Sequence, residues 1–403
     1  MLELEEALKQ ILAAIPSPET EGVSLSEASG RFLGARVCAA VDLPVFDNSA
    51  MDGFAVRGSD LASASPDHPV RLRMIGRVPA GQSFSGGPIP SGSCVRLFTG
   101  SPLPQGADAV VMQEDTKPLA ENTGDILVLE SVKVGENVRR QGEDVQKGSI
   151  LGEAGDCLSV VRLALFSAAG VSRIEVARRP RVGVIVTGSE LREPGEPLAP
   201  GQIYESNRLM LANLVQGTGA MVRTFQIVED ALPATRHALE QAFSECDVVV
   251  TSGGVSVGEM DFLKLAFAEA GGDLQFWKVA IRPGRPFAFG RRKGKLLFGL
   301  PGNPVSGLVT FLMLVRPALL RWQGAADLNL PTFPGVLAEP LINHGNRRHF
   351  VRVRVDSAGN VFSAGPQASH MLGSMAFANG LVDMPAETTL ADGAKVPVIR
   401  WGS

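Results

Sequence analysis

The residues of this chain with the most chemical potential sit on turns. Thr251-Ser-Gly-Gly254 follows the apolar β-branched run Val248-Val-Val250, and Glu259 and Asp261 come shortly after it. A buried strand that breaks into glycines ahead of a helix exposes backbone N–H groups toward an anion. Two carboxylates beside such a turn suit a cation or an acid/base role. Taken alone, the stretch 247–261 also describes an ordinary strand-to-helix connection. A second candidate is Phe276-Trp-Lys-Val-Ala-Ile-Arg-Pro-Gly-Arg-Pro286, which sets Lys278, Arg282 and Arg285 around a Pro-Gly turn. That is either an oxyanion clamp or a solvated basic turn. Further acids stand among turn formers at Asp47, Asp52, Asp144, Glu190 and Asp230.

What metal such a set would hold follows from what is missing. The 5 histidines, at 68, 237, 344, 349 and 370, are scattered, so a histidine-centred metal site is not expected. The ion that suits these carboxylates is hard and oxygen-bound, such as magnesium. The 4 cysteines lie far apart without paired spacing, which predicts buried free thiols rather than a zinc site or a disulfide framework. Neither a Walker-type phosphate loop nor a His-Glu-x-x-His motif occurs.

The elements that must position these turns belong to a globular chain of 403 residues, 45% hydrophobic and 20% charged, with formal net charge −4. That balance argues against nucleic acid or a membrane surface as partner and favours small molecules or proteins. Residues 1–7 lack the basic and apolar regions of a signal peptide, so a cytoplasmic protein is expected. The uncharged span 296–315 is interrupted by Pro301-Gly-Asn-Pro304 and reads as buried strand, turn and helix, not a membrane span.

In chain order, Leu4, Ala7, Leu8, Ile11, Leu12 and Ile15 predict an amphipathic helix ended by Pro16 and Pro18. Short apolar pieces between Gly, Pro, Asp and Ser mark residues 43–147 as β-rich. Helical character returns within 148–177, at 158–169, and is expected to rejoin the N-terminal helix. The β-rich block is then an insertion into a discontinuous domain, 1–42 with 148–177. From 178 to 326 strands alternate with helices, which implies a parallel sheet covered on both faces. Ligands of such sheets gather at the C-terminal strand ends, so the turns 187–190, 251–254 and 301–304 belong on one rim. Residues 327–403 read as a small β-domain, with Phe350, Arg352 and Arg354 alternating against Val351, Val353 and Val355. The fold class is α/β multidomain.

Several of these segments recur together in one family. Asp47-Asn-Ser-Ala-Met-Asp-Gly53, Thr99-Gly100, Arg140-Gln-Gly-Glu-Asp144, Thr187-Gly-Ser-Glu-Leu191, the stretch 251–261, the basic turn 278–286 and Leu300-Pro-Gly-Asn-Pro-Val-Ser306 stand in its order and spacing. The chain resembles the molybdopterin molybdenumtransferases, the MoeA-type proteins related to the gephyrin E domain. The resemblance implies a homodimer of four-domain protomers: a discontinuous domain, a β-rich domain, a three-layer α/β domain of molybdopterin-binding type, and a small β-barrel. It also implies a reaction in which molybdate is inserted into adenylylated molybdopterin and the adenylate is hydrolysed to release AMP, with magnesium assisting. A tungstate-inserting relative and a non-catalytic, gephyrin-like scaffold are the alternatives. A contact with the adenylyltransferase of the same pathway is a further expectation.

By this resemblance Asp52, Thr99, Asp144, Glu190, Asp230, Asp261 and Lys278 take catalytic positions, with Glu190 and Asp261 assigned to magnesium. Thr187, Gly188, Ser252, Gly253, Gly254, Ser256, Pro301 and Asn303 would bind adenylylated molybdopterin. Arg282, Arg285, Ser306, Arg348 and Ser369 would bind molybdate, a dianion that calls for fixed positive charge and hydroxyl donors. Arg347 adjoins Arg348, and either is the counterpart of the family arginine. The chain departs from the family at Arg282 and Arg285, where many relatives carry lysine; charge is kept but donor geometry changes.

Overall fold

The computed structural model describes residues 1–119, 124–255 and 262–401. Its centre is a six-stranded sheet in the order Met221–Thr224, Arg181–Val186, Val248–Ser252, Lys295–Leu300, Pro286–Arg292, Asp273–Lys278. The first four strands are parallel. The sheet is parallel-rich as expected, with one antiparallel edge, where Pro286–Arg292 runs antiparallel to both neighbours. The cause is a hairpin whose two turn residues, Lys293 (φ 47) and Gly294 (φ 79), are both left-handed. A two-residue turn of that hand matches the twist of paired strands.

Helices cover both faces. Leu232–Glu245 and Leu263–Glu269 bury Leu239, Phe243 and Phe267 on one side against Val249 and Leu297. On the other lie Asn207–Gly217 and the apolar helix Pro304–Trp322. The latter is long and apolar enough to cross a membrane, yet 83% of it is buried in the protein. It widens to a π turn at Phe311–Val315, just before Pro317, whose ring nitrogen cannot donate to the helix ladder.

The amphipathic helix forms as predicted, at Leu4–Ala13. Its partner is a correction. Leu4, Ala7 and Ile11 share a core with Val182, Phe289 and Leu319 of the α/β domain, and Leu2 bridges to Val279. The helix Val160–Ala168, capped by Ser159 accepting from Arg162 N at 3.3 Å, packs elsewhere. Its Phe166 meets Val23, Leu33 and Val176, beside the antiparallel pair Thr20–Ser24 and Arg173–Ala177. Periodicity showed that a face was buried, and the Leu2 bridge decided against what.

Between these segments the chain builds a second six-stranded sheet, ordered Ala109–Met112, Gly53–Val56, Ser93–Leu97, Val70–Val78, Ile126–Val128, Thr116–Pro118. The C-terminal strands close on themselves: Arg348–Val355, Asn360–Ser363, Thr332–Leu337, Lys395–Ile399 and Gly380–Met384 pair in turn, and the last pairs with the first. Closure removes the exposed edges. Here the simple alternation fails, because Phe350 and Arg352 are buried as well as Val351 and Val353. The valines fill the barrel, while Phe350 packs into the α/β core. A second correction concerns the thiols: Cys94 and Cys246 are buried, and burial pushes them up to about 12 and about 11, but Cys38 and Cys157 are exposed.

Candidate functional site

The C-terminal ends of the parallel strands open into a cavity of about 710 Å³. Thr187, Gly188, Glu190, Asp230, Ser252, Gly253, Gly254, Pro301 and Asn303 all line it, so the three turns do share one rim. Main-chain bonds lock them together: Thr187 N donates to Ser252 O at 3.0 Å and Gly253 N to Leu300 O at 3.1 Å. Gly253 has φ +93, and a Cβ there would stand 2.6 Å from Thr187 O and 2.7 Å from Thr187 Oγ1. Only glycine lets the two turns approach this closely. Asp230 and Ser189 hold each other, Ser189 N donating to Asp230 Oδ2 and Asp230 N to Ser189 Oγ, each at 3.1 Å.

Sequence reasoning missed Asn207, whose Nδ2 donates to Ser252 Oγ at 3.0 Å and to Gly302 O at 2.6 Å. Its only signal was its place at the start of a helix on the same rim. Tyr204 and His370 also line the cavity and were not singled out. Thr187 Oγ1 and Asn207 Oδ1 are buried with no hydrogen-bond partner among the described residues. Buried polar atoms are normally satisfied, so these two are open to a ligand or water.

Ser256, Glu259 and Asp261 lie outside the described residues. Gly254-Val-Ser-Val-Gly258 also carries nucleophile-elbow spacing, contrary to the expectation that the chain has no Gly-x-Ser-x-Gly elbow. Among the described residues no three His, Cys, Asp or Glu side chains converge. Glu190 and Asp230 nevertheless line one cavity. Magnesium usually takes one or two carboxylates and completes its shell with water and substrate phosphate, so this donor set fits it.

A second grouping lies where the α/β domain meets the barrel. Ile281–Arg282 runs beside Arg348–Val355 and sets Arg282 opposite His349. Arg347 donates from Nη1 to Ile281 O at 3.0 Å. Burial first, then the charges of Arg285 and Arg282, lower the pKa of the Arg347 guanidinium. His349 is buried with neither ring nitrogen partnered among the described residues. Burial, followed by Arg282, Arg352 and Arg347, pushes it down to about 4. Arg348, the residue assigned to molybdate, points elsewhere. Its Nε donates to Asp383 Oδ1 at 2.6 Å and its terminal nitrogens to Asp383 and Glu5. These bonds raise its pKa.

The strand-end rim is joined to the C-terminal domain at a seam. Asn303 Nδ2 donates to Ser369 Oγ at 3.0 Å, and Val305 N to Ser369 O at 3.2 Å. Ser306 is buried in the first turn of the helix Pro304–Thr310. Lys278 ends its strand half-buried, with its carbonyl accepting from Leu2 N at 3.2 Å, and is not among the cavity's lining residues. Asp52, Thr99 and Asp144 belong to the inserted domain and do not line this cavity either. Asp52 Oδ1 accepts from Thr99 N at 2.8 Å and from Thr99 Oγ1 at 2.9 Å, which lowers the Asp52 pKa. Asp144 is exposed.

Comparison with known proteins bears on all three regions. Residues 2–170 match the MoeA N-terminal region (domain I and II), 183–321 a probable molybdopterin binding domain, and 334–401 the MoeA C-terminal region (domain IV). Molybdopterin molybdenumtransferase 2 of Mycobacterium tuberculosis is 40% identical over 93% of this chain and 94% of its own. The molybdopterin molybdenumtransferase of Haemophilus influenzae is 38% identical over 96% of this chain and 95% of its own. The crystal structure of the molybdopterin biosynthesis MoeA protein from Pyrococcus horikoshii OT3 matches with TM-score 0.83 and 31% identity, covering 100% of both chains. With near full-length likeness in sequence and in fold, this chain belongs to the MoeA family.

Proposed function

We propose that the protein performs the last step of molybdenum cofactor biosynthesis, inserting molybdenum from molybdate into adenylylated molybdopterin with release of AMP. The observation that carries this reading is a pair of unlike groupings at the junction of the α/β domain with the barrel, where Asn303 of the rim bonds Ser369 and Arg282 lies opposite His349. One is a rim of glycine turns and neutral side chains with two carboxylates; the other is a set of arginines. Family membership agrees with it.

In this reading residues 252–254, Thr187 and Asn207 hold the phosphate-bearing part of the substrate at the strand ends. Glu190 with Asp230, joined by Asp261, would hold magnesium. When bound, that ion neutralises the phosphoanhydride and polarises the bond to be cut. Water adds to phosphorus, the bond to the adenylate oxygen breaks, and AMP leaves. Arg282, Arg285 and Arg347, with Ser306 and Ser369, present molybdate to the dithiolene. Assigning the contact to Arg347 instead of Arg348 rests on the carboxylates that already engage Arg348. The guanidinium forks replace point charges and give the dianion fixed donor directions.

The Asp52–Thr99 pair and Asp144 complete the site from the inserted domain of a second copy in a homodimer. The protein works in the cytoplasm, where a contact with the adenylyltransferase would pass the substrate on. The test is AMP release from adenylylated molybdopterin by purified protein. Release that requires both molybdate and magnesium is the expected result, and tungstate in place of molybdate reads oxyanion preference. Binding without any AMP release would instead favour the scaffold reading.

A further inference from the structure

Arg352 is fully buried in the strand Arg348–Val355, and burial lowers its pKa, with no carboxylate paired to it among the described residues. Its Nη2 donates only to neutral oxygens: Pro366 O at 2.7 Å, Ala368 O at 3.2 Å and Ser374 Oγ at 3.1 Å. The main chain of the same residue is tied as well. Arg352 N donates to Gln367 Oε1 at 2.9 Å, and Arg352 O accepts from Gln367 Nε2 at 3.0 Å and Ala364 N at 3.1 Å. One residue thus anchors residues 364–374 by six hydrogen bonds.

That segment carries Ser369, which meets Asn303 and Val305, and His370, which lines the cavity. Burying a cation without a carboxylate is costly, and an apolar side chain of similar volume would fill the space with less desolvation. Such a side chain could hold none of the three oxygens. Arg352 itself does not line the strand-end cavity.

We propose that Arg352 is a positioning residue for the oxyanion site, fixing residues 366–374 so that Ser369 stands against Asn303 and Val305. The inference rests on the reading of Ser369 as an oxyanion contact. Supporting groups that lock a binding side chain in place set affinity without touching ligand.

The experiment compares Arg352→Met, Arg352→Lys, Ser369→Ala and the double variant Arg352→Met/Ser369→Ala in the full-length protein. Arg352→Met is expected to raise the KM for molybdate about tenfold while the KM for adenylylated molybdopterin moves less than about twofold. Arg352→Lys recovers part of the loss, and amide hydrogen exchange in 366–374 quickens in Arg352→Met. Because both act through one group, the double variant is no worse for molybdate than Arg352→Met. An unchanged molybdate KM in folded Arg352→Met, with a raised one in Ser369→Ala, overturns the inference. An unchanged KM in Ser369→Ala overturns the reading beneath it, and the inference with it. Should Arg352→Met not fold, Gln367→Ala breaks the same anchor from the other side, and an unchanged molybdate KM there overturns the inference equally.

Discussion

Arg347 and Arg348 are neighbours on one chain with opposite surroundings. Arg348 is engaged by Asp383 and Glu5, whereas among the described residues the charges acting on Arg347 are those of the cations Arg285 and Arg282. Successive residues entering a strand project to opposite faces, so one step along the chain separates a structural ion pair from an unmet positive charge. The same contrast holds between the two groupings. The strand-end cavity offers neutral donors, glycine turns and the carboxylates Glu190 and Asp230. The arginine grouping has no such carboxylate to offset it among the described residues. A large phosphate ester that arrives with a metal ion needs the first kind of surface, and a small tetrahedral dianion needs the second.

The contrast can be broken at its steepest point by Gly253→Ala. The added Cβ meets Thr187 O at 2.6 Å on a backbone with φ +93, so the two turns must separate. Adenylylated molybdopterin binding should fall about 100-fold, with stability lower by about 1–3 kcal/mol. Calorimetric titration should still find molybdate binding near its original strength; parallel loss of both ligands would merge the two regions. Next in size, Arg347→Met should weaken molybdate binding about tenfold. Arg348→Met should leave molybdate binding nearly unchanged and instead lower stability by about 1–2 kcal/mol, mainly through Asp383, because Glu5 is largely exposed. Reversed outcomes would return the molybdate role to Arg348.

The smallest effect is a slope. His349 is pushed down to about 4 from 6.5, so the folded protein keeps it neutral. Its contribution to stability is intact above pH 6.5 and is lost as pH falls toward 4, because the unfolded chain takes up the proton first. Urea unfolding across that window should be steeper in the wild type than in His349→Gln by up to about 1.4 kcal/mol per pH unit. Identical slopes would mean that burial and the arginine charges together do not hold the imidazole below its ordinary range.

Much of this arrangement was visible in the residues themselves. Glycine at 253 and 254, Thr187 and Pro301-Gly-Asn-Pro304 announced the rim, because positive φ and strand ends have strong local signals. The strand Pro286–Arg292 did not, since the Pro-Gly turn before it dominated the pattern and its hairpin turned on Lys293-Gly294. The partner of Leu4–Ala13 was hidden because periodicity shows which side of a helix is apolar but not what covers it. Arg352 was hidden for a related reason. A two-residue alternation assumes one dry face, and this strand is buried on both, with the outer face closed by a segment some fifteen residues farther along. Choosing between Arg347 and Arg348 required knowing where Asp383 and Glu5 end up.

The division of labour is tested most directly by titrating AMP release with molybdate in Arg347→Met and Glu190→Gln side by side. Excess molybdate should restore Arg347→Met toward wild-type release, since only oxyanion affinity was lost, and should leave Glu190→Gln slow at every concentration. Rescue of Glu190→Gln by molybdate, or failure to rescue Arg347→Met, would contradict the account.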